Sequence, residues 1–114
     1  MPLSRYVERR GHPRDTINAP ARVCYGPNYA FWADCVIRDI SQGGAKIHLP
    51  AIFKIPSRFV LLHYKAKTAF EAVQKWRRDE IIGMSFEASH DLTVEPEPHM
   101  AGVHEAWLAL RSGV

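Results

Sequence analysis

Residues 31–49 read Phe31-Trp32-Ala33-Asp34-Cys35-Val36-Ile37-Arg38-Asp39-Ile40-Ser41-Gln42-Gly43-Gly44-Ala45-Lys46-Ile47-His48-Leu49. Phe31, Ala33, Cys35 and Ile37 recur at every second position, with Asp34, Arg38 and a few apolar residues between them. Period two marks a half-buried strand. Ser41-Gln42-Gly43-Gly44 breaks the alternation, and Ala45, Ile47 and Leu49 restart it against Lys46 and His48. The stretch predicts two strands joined by a glycine-rich turn.

Further strands lie on both sides. Pro20–Tyr25 is short and β-compatible, and Gly26-Pro27-Asn28 is a turn signal that makes a hairpin with the strand after it. Pro50 and Pro56 bracket a loop holding Ile52 and Phe53. Arg58–Tyr64 is apolar on both faces, as in a strand covered by a helix or a partner. Ala69–Arg78 and Glu80–Glu87 form a last pair, with Phe70, Ala72 and Trp76 on one face and Ile82, Met84 and Phe86 on another. Residues 90–98 are acidic and proline-interrupted and read as a linker. His99–Arg111 then carries Val103, Trp107 and Leu110 at helical spacing. About six short strands indicate a small closed barrel or a sandwich, with the terminal helix laying its apolar stripe over it. The outward residues Trp32, Val36 and Ile40 are either a dimer surface or the seat of that helix.

The chain has 114 residues, 46% hydrophobic and 24% charged, which is one globular domain's worth. No apolar run is long enough for a membrane helix, and the N-terminus lacks the apolar core of a secretory signal, so a cytoplasmic location without membrane insertion is expected. Cys24 and Cys35 make neither a disulfide framework nor a cysteine zinc site. They are expected to be free, buried, inert thiols, on opposite strands of a hairpin that can bring them close.

The net charge of +3 is unevenly spread. Residues 1–14 hold Arg5, Arg9, Arg10 and Arg14 against Glu8, whereas residues 87–114 hold Arg111 against Glu87, Asp91, Glu95, Glu97 and Glu105. The organisation expected is a flexible arginine-rich arm over 1–14, a barrel over 15–89, and a linker with a packed helix over 90–114. The arm is either a solvated tail or an anion-binding strap. Arginine rather than lysine suits bidentate recognition of phosphate or a guanine edge.

Enzyme signatures are missing. His12, His48, His63, His90, His99 and His104 form no HxxxH or HExxH pair, and the common phosphate-loop, dinucleotide and nucleophile-elbow motifs do not occur. No catalytic residue, metal or cofactor is expected.

Two motifs concentrate the unusual chemistry. Arg10 and Arg14 form an R-x-x-x-R with Arg9 in front, and the intervening Gly11 and Pro13 disfavour a regular helix. Asp39-Ile40-Ser41-Gln42-Gly43-Gly44 is a D-x-S-x-x-G that ends one strand and opens the next. Either could be chance or an ordinary capped turn. In this order they resemble the PilZ domain family over roughly residues 5–88. Trp76-Arg77-Arg78 leading to Ile82-Gly83-Met84-Ser85-Phe86 looks like the family's later strand pair. The resemblance implies an all-β fold, a six-stranded antiparallel β-barrel with a C-terminal α-helix, and a bacterial receptor for the second messenger cyclic di-GMP rather than an enzyme.

It also implies roles. Arg10 and Arg14 would take guanine edges and phosphate, and Asp39 a guanine N1–H and N2–H₂ edge or an arginine. Ser41 would bond phosphate or guanine, while Gly44, helped by Gly43, would let backbone approach the ligand. Arg9 would stack on a second, intercalated molecule, giving one or two cyclic di-GMP per domain. Trp76 resembles a family aromatic near the ligand and reads equally as a barrel-edge tryptophan. Ligand binding would order the arm into a surface read by a protein partner in trans. Two alternatives stay open: a PilZ-like adaptor that binds no nucleotide and works through protein contacts, and a small RNA-binding barrel using Tyr29, Phe31 and Trp32 for stacking. The acidic stretch 87–105 weighs against any long nucleic acid.

Overall fold

Six strands alternate inward and outward residues around a single closed ring. The structure, a computed structural model, describes residues 15–112. In chain order these are β1 (Asp15–Tyr25), a 3-10 turn (Pro27–Tyr29), β2 (Phe31–Ile40), β3 (Gly44–His48), β4 (Arg58–His63), β5 (Thr68–Arg78), β6 (Ile81–Asp91), a second 3-10 turn (Pro98–Met100) and α1 (Ala101–Ser112). The strands close in the order β1-β2-β3-β6-β5-β4, and every pairing is antiparallel, including β4 back onto β1. The expected all-β barrel with a C-terminal helix is the fold found.

Alternation sorts the core into two clusters. Val23, Ala33, Cys35, Ile37, Ile47, Leu61, Ile82 and Met84 fill the barrel. Cys24, Val60, Leu62, Ala69, Leu92, Met100, Val103 and Trp107 pack together outside it, under α1. This explains why Arg58–Tyr64 is apolar throughout: Phe59 and Leu61 enter the barrel, while Val60 and Leu62 meet the helix. A 12-residue helix is marginal alone, and burial of large apolar side chains at about 1.5–3 kcal/mol each is what secures it. The helix does not cover Trp32, which stays half exposed with the Arg22 guanidinium 3.6 Å from its ring centroid. Ile40 packs against the barrel interior rather than facing outward.

Several sequence boundaries move. β1 begins at Asp15 rather than Pro20, because residues 15–20 pair with β2 even though β4 joins only from Ala21. Pro20 is tolerated there since one strand edge lacks a ladder partner. β6 runs to Asp91, four residues beyond the expected Glu87, and Glu80 sits in a tight turn after Asp79, whose φ of 56° is one that Asp adopts more readily than most residues. The face shared by Phe70, Ala72 and Trp76 breaks at Lys75. Gln74 opposes Met84 and Trp76 opposes Gly83, so the extra residue turns Trp76 outward.

The loop between β3 and β4 is anchored by Arg77. Its guanidinium donates to the carbonyls of Phe53 (2.7 Å), Pro50 (3.1 Å) and Leu49 (3.2 Å), and Gln74 N–H donates to Ser57 O at 2.7 Å. Ile55 packs against the barrel core from this loop.

Cys24 and Cys35 are both free and buried. They do not approach as a pair: Cys24 opposes Trp32 and joins the cluster under α1, whereas Cys35 opposes Ala21 and points into the barrel. Burial pushes the Cys24 thiol up to about 11 and the Cys35 thiol up to about 12. Burial disfavours the thiolate, the reactive form. Neither thiol is therefore expected to react with Ellman's reagent at about pH 8 in the native protein, and both should react after guanidinium unfolding. A full equivalent of rapid reaction in the native state would contradict the packing described.

Candidate ligand-binding surface

The β2–β3 turn is held by its own backbone and by β6. Ser41 N–H donates to Gly44 O at 2.8 Å, and Phe86 N–H on β6 donates to Gly43 O at 2.9 Å. The Ser41 hydroxyl accepts from Gly43 N–H at 3.3 Å and donates to Gly44 O at 3.4 Å. The second bond is long and therefore weak. A Cβ on Gly44 would collide with the Met84 carbonyl oxygen of β6. Glycine is thus required here for close backbone approach, not for an unusual φ.

Asp39 lies one residue before the turn's first strand ends. It opposes Thr16 on β1 and Lys46 on β3, and the register slips at Arg38 so that Asp39 faces the same side as Lys46. Lys46 Nζ is 3.8 Å from Asp39 Oδ2, with the Asp39 side chain 17% and the Lys46 side chain 40% exposed. An ion pair this loose and this wet contributes at most about 1 kcal/mol.

The pairing continues across the sheet. Lys46 opposes Gly83 on β6, and Gly83 opposes Trp76 on β5. Asp39, Lys46, Gly83 and Trp76 therefore form one lateral row on the outside of the barrel. At about 4.8 Å per strand the row spans about 14 Å. A Cβ at Gly83 would meet the Trp76 ring, so the indole lies flat over the glycine. Trp76 is 39% exposed, and the Arg78 guanidinium lies 5.8 Å from its ring centroid. The result is a shallow shelf with a carboxylate at one end, a lysine beside it and an aromatic plate at the other end.

Of the residues singled out in the sequence, Asp39, Ser41, Gly43 and Gly44 come together at the turn, and Trp76 is connected to them by this row. Arg9, Arg10 and Arg14 lie outside the described residues. Lys46 was missed by motif reading. Its alternation with Ala45 and Ile47 marks it as outward, but only the register shows that it stands between Asp39 and Trp76. Arg77, beside Trp76 in sequence, is not part of the shelf, because its guanidinium is held by the loop carbonyls described above.

The fold is a closed barrel that displays a polar loop and an exposed aromatic on its outer wall. A family model for the PilZ domain matches residues 8–95, and the chain belongs to that family. PilZ domains are generally cyclic di-GMP-binding domains and act by binding rather than as enzymes. No curated protein matches the chain. Among the described residues, no helix is long and apolar enough to cross a membrane.

The two glycines respond differently to an added methyl. At Gly44 the obstacle is backbone, and Gly44→Ala is expected to cost about 1–3 kcal/mol. At Gly83 the obstacle is a side chain that can swing away, so Gly83→Ala should cost less and shift Trp76. Urea unfolding of both variants checks this, and equal losses would contradict the difference in surroundings.

Proposed function

We propose that the protein is a receptor for cyclic di-GMP that takes the dinucleotide against the β2–β3 turn and the shelf beside it. Arg9, Arg10 and Arg14 supply the cationic groups, Asp39, Ser41, Gly43 and Gly44 the fixed part of the site, and Trp76 a stacking surface. The observation that carries this reading, beyond family membership, is the start of β1. Asp15 opposes Ile40 and Thr16 opposes Asp39. Arg14 immediately precedes Asp15 in sequence, and the partner of Asp15 is Ile40, the middle residue of the D-x-S motif.

The chemistry suits a dianion bearing two guanines. Arginine reads the O6 and N7 of guanine bidentately, and a carboxylate accepts from the N1–H and N2–H₂ edge. The Lys46 contact to Asp39 is loose at 3.8 Å, and Lys46 released from it can turn to phosphate. Ser41 can give up its 3.4 Å bond to Gly44 O for a phosphate oxygen while keeping the Gly43 N–H. The ligand-bound arm would present its surface to a protein partner.

Isothermal titration calorimetry with cyclic di-GMP, against GTP and linear pGpG, tests the reading. Selective binding at micromolar or tighter affinity is expected, weakening as salt rises. Its stoichiometry decides between one molecule and an intercalated pair, and so tests Arg9. Arg14→Ala and Asp39→Ala should each weaken binding by at least about tenfold. For Arg14→Ala, the melting temperature of the free protein should be unchanged. A folded protein that binds nothing at hundreds of micromolar would instead be a nucleotide-independent adaptor.

A further inference from the structure

On the outer wall, away from the shelf, three side chains converge on one point. Glu71 on β5 and His90 on β6 are diagonal neighbours, since Glu71 opposes Ala88 while His90 opposes Ala69. His99, in the 3-10 turn leading into α1, reaches the same place from above. His90 Nε2 is 2.6 Å and His99 Nε2 is 3.2 Å from the same oxygen of Glu71, Oε2. All three donor atoms lie within 4.8 Å of one another. The imidazoles stand nearly edge-on, 77° apart with centroids at 5.5 Å.

We propose that Glu71, His90 and His99 form a binding site for a divalent transition-metal ion, with Zn²⁺ the best match, that ties the segment before α1 to the barrel. Two imidazoles and a carboxylate are a common ligand set for zinc with a fourth position open. Bonds of about 2.0–2.2 Å in a tetrahedron place donors about 3.3–3.5 Å apart. The His99–Glu71 separation is already close to that. The His90 nitrogen needs to retreat by less than about 1 Å.

Two further features suit a metal. Both rings address the same Glu71 oxygen, so one atom from each of the three side chains already lies within 4.8 Å of the others. Behind His99, Glu97 Oε2 stands 3.7 Å from Nδ1. That is a loose contact rather than a hydrogen bond, and a carboxylate closing on that nitrogen would hold the ring with Nε2 turned toward a metal. Access is open as well: the His99 side chain is 48% exposed, against 14% for His90 and 30% for Glu71. The site escaped motif reading because its members are 19 and 9 residues apart and meet only through the β5–β6 register and the fold-back of the linker.

The site is distinct from the cyclic di-GMP surface. Glu71 precedes Trp76 by five residues on the same strand, about 16 Å along it. The experiment is therefore independent of nucleotide binding. Untagged protein stripped with chelator is titrated with ZnCl₂ by calorimetry and melted with and without the ion, and Co²⁺ is added as a spectroscopic probe. One Zn²⁺ per chain, a higher melting temperature and a tetrahedral Co²⁺ visible spectrum are expected. His99→Gln and His90→Gln should each weaken Zn²⁺ binding at least tenfold, while His104→Gln, on α1 with Nε2 3.1 Å from the Leu92 carbonyl, should not. Should His90→Gln fail to fold, the more exposed His99→Gln carries the test. No saturable Zn²⁺ binding, or binding that survives His99→Gln unchanged, would overturn the assignment.

Discussion

The close approach of the Gly43–Gly44 backbone to β6 is the constraint on which the other arrangements rest. Phe86 N–H reaches the Gly43 carbonyl, and Gly44 lies so near the Met84 carbonyl that no side chain fits between them. This contact fixes where β3 meets β6, which is one of the two pairings between strands that are not neighbours in sequence. The other is β1 with β4. Once β3 is placed, Lys46 must oppose Gly83, and the β5–β6 register sets Gly83 against Trp76. The same glycine that closes the barrel therefore also shapes the polar loop beside Asp39. Fold and candidate site share a residue, and a change there acts on both.

Much of this was legible in the residues themselves. Strict alternation exposed β2 and β3, and the doubly apolar Arg58–Tyr64 correctly implied a strand covered on its outer side. The helical stripe of Val103 and Trp107 announced its own packing. What escaped was anything depending on register. A single additional residue at Lys75 reverses the direction of Trp76, and period-two reading cannot see such an insertion. The start of β1, before the expected Pro20, was hidden by the register irregularity between Thr16 and Ala19, which leaves no alternation to read. The loop chemistry at Asp39 to Gly44 was visible as a motif, whereas the lysine between it and the aromatic was not, because adjacency across strands leaves no trace along the chain.

The protein divides its apolar material between an interior and an external seat for α1. The helix covers Cys24, Val60, Leu62 and Ala69, so its position is set chiefly by β1, β4 and β5. The shelf runs across β2, β3, β6 and β5, on the parts of the wall the helix leaves bare. Only β5 serves both, carrying Ala69 and Glu71 at one end and Trp76 at the other.

Closure has a mechanical consequence. In an open sheet a strand at the edge can slide or peel, and partner proteins often add a strand of their own. Here each strand is hydrogen-bonded on two sides, and slipping one by a single residue would exchange every interior side chain for an exterior one. The ring has no inexpensive sliding mode. The barrel is thus a rigid frame, and α1 is seated against its outer wall.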